Sequence, residues 1–355
     1  MIIEEKLKIK IESFNLYLNI IGGHSLFIEI DKNYLIKSSN ESEINFYKFS
    51  SNKKFTPKFF GVIEKNSSFF NLISKYVHQL KLFFKYFLIK YKLNEDLINI
   101  ENDENFPSIF NSFILNEKNR LKDINELLPS FFLLEKKLLN LYEHNLNKLK
   151  WILFWFVKWN KNFLKNHFII IENLTNKMIK PAIIDIKLGN SPKINKESNK
   201  IKIFKGAINE IGCRIMGFQK ENIFLNKYDT KNFSLKQFKE ILNIFFYKKD
   251  LIQMILFKIG KIIDEIRSNI KININFSSLL IIYDENDINS KILLNLIDFS
   301  FIEDNIYNNN KNINNLIEPI KNFMNILKEL ENFNEIKFEI KSNCLEKIQK
   351  NFYFN

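Results

Sequence analysis

With 355 residues, 46% of them hydrophobic, the chain can bury a sizeable core as one large bilobal domain or two smaller ones. A net charge of +13 favours an acidic partner, and nucleic acid, an anionic membrane or a polyphosphorylated small molecule would all answer to it. Cys213 and Cys344 are too few for a disulfide framework, and a chain-wide enrichment in Ile, Asn, Lys and Phe takes weight from any single lysine.

Met1 to Lys10 mixes acidic and basic residues without the apolar run of a signal peptide. Residues 7–37 alternate polar and apolar around Gly22-Gly23, which predicts short antiparallel strands joined by turns. Ser42 to Phe49 reads as helix, and Thr56-Pro57 ends that pattern. Leu80 to Tyr91 and Asn125 to Trp159 are apolar-periodic and predict long helices, joined by a polar loop at Asn94 to Asn105. The most apolar run, Trp151 to Val157, is interrupted by Lys158 and Lys161, short of the ~20 residues of a spanning helix. A soluble intracellular protein, in cytoplasm and/or nucleus, is expected.

Phe168 to Ile171 is a β-branched run that suits a buried strand leading into a crossover, and Pro181 to Ile186 is a second strand. Ser234 is placed to cap a helix whose apolar positions are Leu235, Phe238, Leu242 and Phe245, and Asp250 to cap one running to about Ile270. Leu279 to Tyr283 and Leu293 to Phe299 form a hairpin-like pair around Asp284 to Ser290. Asn305 to Asn315 reads as an Asn-rich loop, followed by a last helix over roughly Leu316 to Leu330.

Several residues have the chemistry of phosphoryl transfer, which needs cations on the phosphates, a carboxylate for Mg²⁺ and a positioned acceptor. Lys37 on a strand, with Glu43 at the start of the next helix, supplies a phosphate contact and a partner to hold it. Asp185 and Lys187 are two apart and project from one face of a strand. Asp298 ends an apolar strand. Taken singly, each has a bland reading as a surface charge, a solvated pair or a turn; their joint order carries the argument.

That order resembles the inositol polyphosphate kinase family. Pro181 to Gly189 reads P-x-x-x-D-x-K-x-G, the family's hallmark. Further blocks follow its order: Ile21-Gly22-Gly23-His24; Glu43-Ile44-Asn45-Phe46-Tyr47; Ile171-Glu172-Asn173-Leu174-Thr175; Ile211 to Gln219, similar to L-G-x-R-I-x-G-x-Q; Ser277 to Asp284, similar to S-S-L-L-x-x-Y-[DE]; and Ile297-Asp298-Phe299-Ser300. The resemblance implies an α+β, two-lobed kinase-like fold. It would have an antiparallel-sheet N-lobe (1–61), a helical insertion (62–165), a hinge and larger mixed α/β C-lobe (166–355) and ATP in the cleft. It further implies that adenine meets Glu172 and the backbone of Leu174, that Asp185 holds the ribose and that Lys37 contacts the ATP phosphates. Asp298 would bind Mg²⁺ with Ser278 as a further metal contact, and Lys187 would meet the inositol phosphate with Lys205 beside it.

The sequence departs from the family at Ser300-Phe301, where a histidine is common, and across Asn190 to Lys205, which borders the expected substrate site. The roughly 100-residue separation of the N-terminal blocks from the hinge, with the Tyr283-Asp284 ending, looks more like the hexakisphosphate kinases. A multikinase acting on tris- and tetrakisphosphates, and a degenerate kinase serving as an inositol-phosphate-binding scaffold, are the alternatives. A monomer that binds no nucleic acid is expected, since no aromatic-basic module accompanies the charge.

Overall fold

The computed structural model describes residues 14–19, 27–50, 54–65, 67–91, 130–162, 167–189, 193–194, 201–202, 206–269, 273–275, 277–287, 292–299, 301–303 and 309–333. The Gly22-Gly23-His24 turn, the Asn94 to Asn105 loop, Lys205 and Ser300 lie outside them. The chain divides into two compact units, one of residues 1–177 with 222–224, the other of residues 178–221 with 225–355.

In the first unit, strands β1 (Phe14–Leu16), β2 (Phe27–Ile30), β3 (Tyr34–Ser39), β4 (Phe59–Ile63) and β5 (His167–Glu172) form one sheet in the order β1-β2-β3-β5-β4. Every neighbour is antiparallel. The β2–β3 turn places Asp31 and Lys32 in the left-handed region, as a tight two-strand connection demands. Helix α1 (Glu41–Ser50) begins at Asn40, whose side-chain oxygen accepts from the Glu43 N–H.

Helices α2 (Ser68–Lys90), α3 (Ser130–His144) and α4 (Leu146–Asn162) complete this unit. Their contacts are largely aromatic: Phe83 stacks on Phe131 at 5.1 Å, and Phe84 meets Phe156 at 4.4 Å. The apolar period running through 125–159 predicts one helix, but the chain breaks at Asn145. There the side chain accepts from the Lys148 N–H and restarts the helix as an N-cap.

In the second unit, β6 (Pro181–Leu188) pairs antiparallel with β9 (Cys213–Lys220) on one edge and with β12 (Ser278–Asp284) on the other. Strand β12 pairs with β13 (Ile292–Ile297), so the predicted hairpin is present. No crossover joins β5 to β6, because the two strands belong to different sheets. Between β6 and β9 lie a short hairpin, β7 (Lys193–Ile194) with β8 (Ile201–Lys202), and the one-turn helix α5 (Ala207–Ile211). Strand β10 (Ile223–Leu225) follows β9, and β11 (Asn273–Asn275) pairs with β14 (Phe301–Glu303).

The registers sort this sheet into two faces. Ala182, Ile184, Ile186, Leu279, Ile281, Tyr283, Leu294 and Leu296 share one, and it is apolar. On it, the rings of Phe218 and Tyr283 meet Phe245 of helix α6 (Leu235–Phe245), and the Tyr283 hydroxyl donates to the Phe245 carbonyl at 2.7 Å. Ser234 and Gln237 form a reciprocal capping box at the start of α6. Helix α7 (Lys249–Asn269) starts one residue before Asp250, leaving that carboxylate in the first turn instead of at the cap. Helix α8 (Asn309–Phe333) begins within the Asn-rich stretch expected as loop. Ile313, Leu316 and Ile317 continue the helical spacing, and that period outweighs the turn preference of the asparagines.

Gly212 ends α5 with φ of 71°, and a Cβ there would meet the Pro319 ring at 3.0 and 3.2 Å. Next to it the Cys213 thiol donates to the Pro319 carbonyl, so α8 seats directly on the start of β9. Gly260, in the middle of α7, has nothing within 4 Å of its Cβ position. Gly212→Ala is therefore expected to cost about 1–3 kcal/mol from left-handed strain and the proline contact. Gly260→Ala should instead gain about 0.5–1 kcal/mol. Urea unfolding of the two variants, with m-values compared, checks both signs.

Candidate active site

The face of the second sheet opposite the α6 contact carries the polar side chains. Asp185 and Lys187 of β6 lie on it, Ser278 of β12 is opposite Lys187, and Asn295 of β13 is opposite Leu280, itself opposite Asp185. Between Asp185 and Ile186 the β9 register shifts by one residue, with Met216 extra. Through this bulge Arg214 faces Lys187 and Gly217 faces Asp185, although the two are three positions apart. A glycine opposite Asp185 puts no side chain directly across from the carboxylate, and Arg214 is the β9 side chain whose charge acts on it.

Asp185, Lys187 and Ser278 are all buried, and Asp298, just past the end of β13, closes the group. The Lys187 ammonium donates to Asp298 Oδ2 at 2.5 Å. Asp298 has φ of 63°, a backbone conformation that few residues other than glycine adopt and that often marks a working site. Burial pushes the Asp185 carboxyl up to about 6, with Asp298 adding to the rise against the pull of Lys187, the Ser278 hydroxyl and Arg214. Asp185 Oδ1 is buried with no hydrogen-bond partner among the described residues. The part-exposed Asp298 carboxylate, one residue past the position opposite Ser278, fits a divalent cation whose remaining ligands come from phosphate oxygens and water. Among the described residues no group of three or more His, Cys, Asp or Glu side chains could hold a metal alone.

The first unit holds the other expected residues. Lys37 of β3 donates to Glu43 Oε1, and Ser39 donates to Glu43 Oε2 at 2.7 Å, so a buried glutamate fixes the lysine. Glu172 pairs with Tyr34 and Lys37 with Ile169, which puts Glu172 and Lys37 on opposite faces of their sheet. Sequence spacing could not show that. The loop after β5 is tied down closely: Asn173 Nδ2 donates to the Lys32 carbonyl, its Oδ1 accepts from the Thr175 N–H and hydroxyl, and Thr175 bonds the Tyr17 hydroxyl at 2.9 Å. Leu174 is held within this turn, buried at 8% exposure.

Three further residues gained a position that the motifs did not explain. Gln219 reaches across to the Pro181 carbonyl, and Asn295 adds a buried amide to the polar face. Burial of Asp284 acts to raise its carboxyl, but the N–H groups of Ile179, Lys180 and Asn286 donate to it and hold it below the usual carboxylate range. Gln219 and Asp284 end their motif blocks at the strand ends that meet the start of β6, a hint of structural tethers.

Comparison with known proteins covers this same region. The family model described as Inositol polyphosphate kinase matches residues 168–333. Over residues 168–333, just under half of the chain, the sequence is similar to that family. Over 134 residues, 33% of the chain, the sequence is 29% identical to human inositol hexakisphosphate kinase 2, and that stretch spans 32% of the relative. Over 136 residues, also 33% of the chain, it is 26% identical to mouse inositol polyphosphate multikinase, spanning 33% of it. The matched part is thus about a third of the length of these relatives. A solved structure of the inositol phosphate multikinase Ipk2 from S. cerevisiae, in complex with ADP and Mn²⁺, covers 46% of this chain and 84% of its own at 22% identity and a TM-score of 0.40. Among the described residues no helix is long and apolar enough to cross a membrane.

Because the Asp185 carboxyl is raised by folding, it favours the folded state only while protonated, and that contribution fades as pH rises from about 4 through about 6. Asp185→Asn should therefore be more stable than the parent by about 2–3 kcal/mol at pH 7.5 and equal to it near pH 4. Denaturant titrations at both pH values measure the difference directly.

Proposed function

We propose that the protein is an ATP-dependent kinase that transfers the γ-phosphoryl group to an inositol polyphosphate. The observation that carries this is the buried Asp185–Lys187–Ser278 group, closed by the part-exposed Asp298, within the segment that matches the family model. A kinase of this kind asks little covalent chemistry of the protein; it positions the reactants and neutralises charge. In this reading Asp298, with Ser278 beside it, holds Mg²⁺. That ion would supply charge neutralisation on the transferred phosphate oxygens.

Lys187 is the fixed cation for the acceptor side, since its side chain is shielded and its position is set by strand pairing on both edges. Asp185 takes the ribose hydroxyls of ATP, for which its orphan Oδ1 is a ready acceptor. In the first unit, Lys37 on its Glu43 anchor contacts the ATP phosphates, and the backbone of Glu172 to Leu174 takes adenine. The tethering of that loop through Asn173 and Thr175 supports the last assignment, because a rigid backbone recognises a planar base at low entropic cost. By the family resemblance, Lys205 is a further contact for the substrate. The same reading takes the protein as an intracellular monomer, in cytoplasm and/or nucleus.

For the acceptor we propose inositol hexakisphosphate, giving a pyrophosphate; support comes from the spacing of the N-terminal blocks and from the similarity to hexakisphosphate kinase 2. Incubating the protein with labelled ATP, Mg²⁺ and a panel from tris- to hexakisphosphate should give a labelled product with hexakisphosphate. Turnover of tris- and tetrakisphosphates alone would indicate a multikinase. Asp298→Asn is expected to lower kcat at least about 100-fold. Binding of the panel without any ATP consumption would leave an inositol-phosphate-binding scaffold in place of the enzyme.

A further inference from the structure

Two carboxylates, Asp185 and Asp298, feel the charge of one ammonium, and it bonds the second of them. Lys187 lies two residues from Asp185 on the same face of the same strand, yet its Nζ hydrogen-bonds Asp298, 111 residues away. The Asp298 side chain is 37% exposed where that of Lys187 is 11% exposed. Asp298 also lies beyond the last paired residue of β13 in a left-handed backbone conformation, so it can shift without disturbing a strand ladder. Lys187 cannot, because its backbone pairs with both Ser278 and Arg214. The result is a half-exposed carboxylate that meets incoming cations on one side and a shielded ammonium on the other.

We propose that Lys187 is the resident cation of the site: its ammonium occupies Asp298 until a divalent ion takes that carboxylate, and the exchange frees Lys187 for a phosphate oxygen. The proposal rests on the kinase reading for the identity of the ion, but its logic is electrostatic. A side chain already bonded to Asp298 competes with any cation for it, and low metal affinity without nucleotide follows. Lys187 stands on the same polar face as Asp185 and opposite Ser278, so an ammonium released from Asp298 stays over that face. Metal loading and the arming of the lysine become one event, so neither is complete without the other.

Mn²⁺ alone, with neither ATP nor inositol phosphate present, is the probe, and its free aquo ion is counted by electron paramagnetic resonance. Lys187→Met should bind Mn²⁺ at least about tenfold more tightly than the parent, because a unit positive charge has been removed from beside the ligand. Lys187→Arg should stay near the parent, and Asp298→Asn should lose the site in either background. Equal or weaker binding by a natively folded Lys187→Met overturns the proposal.

A second measurement needs no variant. Acetylation of the parent protein, mapped by mass spectrometry, should label Lys187 at least about threefold faster when Mn²⁺ is present, with Lys37 on its Glu43 partner unchanged. Identical Lys187 labelling with and without Mn²⁺ also overturns it. Because no substrate is used, failure here leaves the kinase reading untouched, and a protein without kinase activity could still show the exchange.

Discussion

Strand β6 is hydrogen-bonded along both edges, and this double pairing governs the site. A strand in that position has no freedom to slide, and a one-residue slip would turn every side chain to the wrong face. Its even-numbered residues are Ala, Ile, Ile and Leu, packed on the apolar side, so the register is held by burial. Asp185 and Lys187 inherit that fixity on the other side. Their charges are held within a dry sheet because the opposite face would be lost if they moved.

The cost of holding charge there is visible in the raised Asp185 carboxyl and its orphan oxygen. Isolated, such a group would be a defect. Among Lys187, Ser278, Arg214 and Asp298 it is one of two carboxylates set against two cations. The first unit solves a similar problem differently. Its Lys37 is matched by a buried glutamate that Ser39 also contacts, so that cation is satisfied by the protein itself.

Much of this was legible from residue order. The antiparallel strands at both ends of the chain, the β12–β13 hairpin and the Ser234 cap followed from alternation and cap chemistry, and the Asp185–Lys187 pairing on one face followed from the period of two. What stayed hidden depended on tertiary context. The break at Asn145 leaves the apolar period running on, so only the cap bond reveals it. The early start of α8 shows asparagines recruited into a helix by the apolar spacing around them. That Glu172 and Lys37 face apart depends on cross-strand register, which a sequence read one strand at a time does not contain. The tethering roles of Gln219 and Asp284 likewise belong to the point where separate strands meet the start of β6.

The extra Met216 in β9 has a consequence for how chains of this kind can vary. Arg214 and Gly217 look to the same side only because a residue has been looped out between them. Losing one residue from that interval would restore simple alternation and send either the guanidinium or the open space opposite Asp185 to the far side of the sheet. Between these two positions, length is therefore constrained as tightly as identity. Substitutions of Met216 can be absorbed, whereas a single-codon deletion there would dismantle the site while leaving each of its named residues in the sequence.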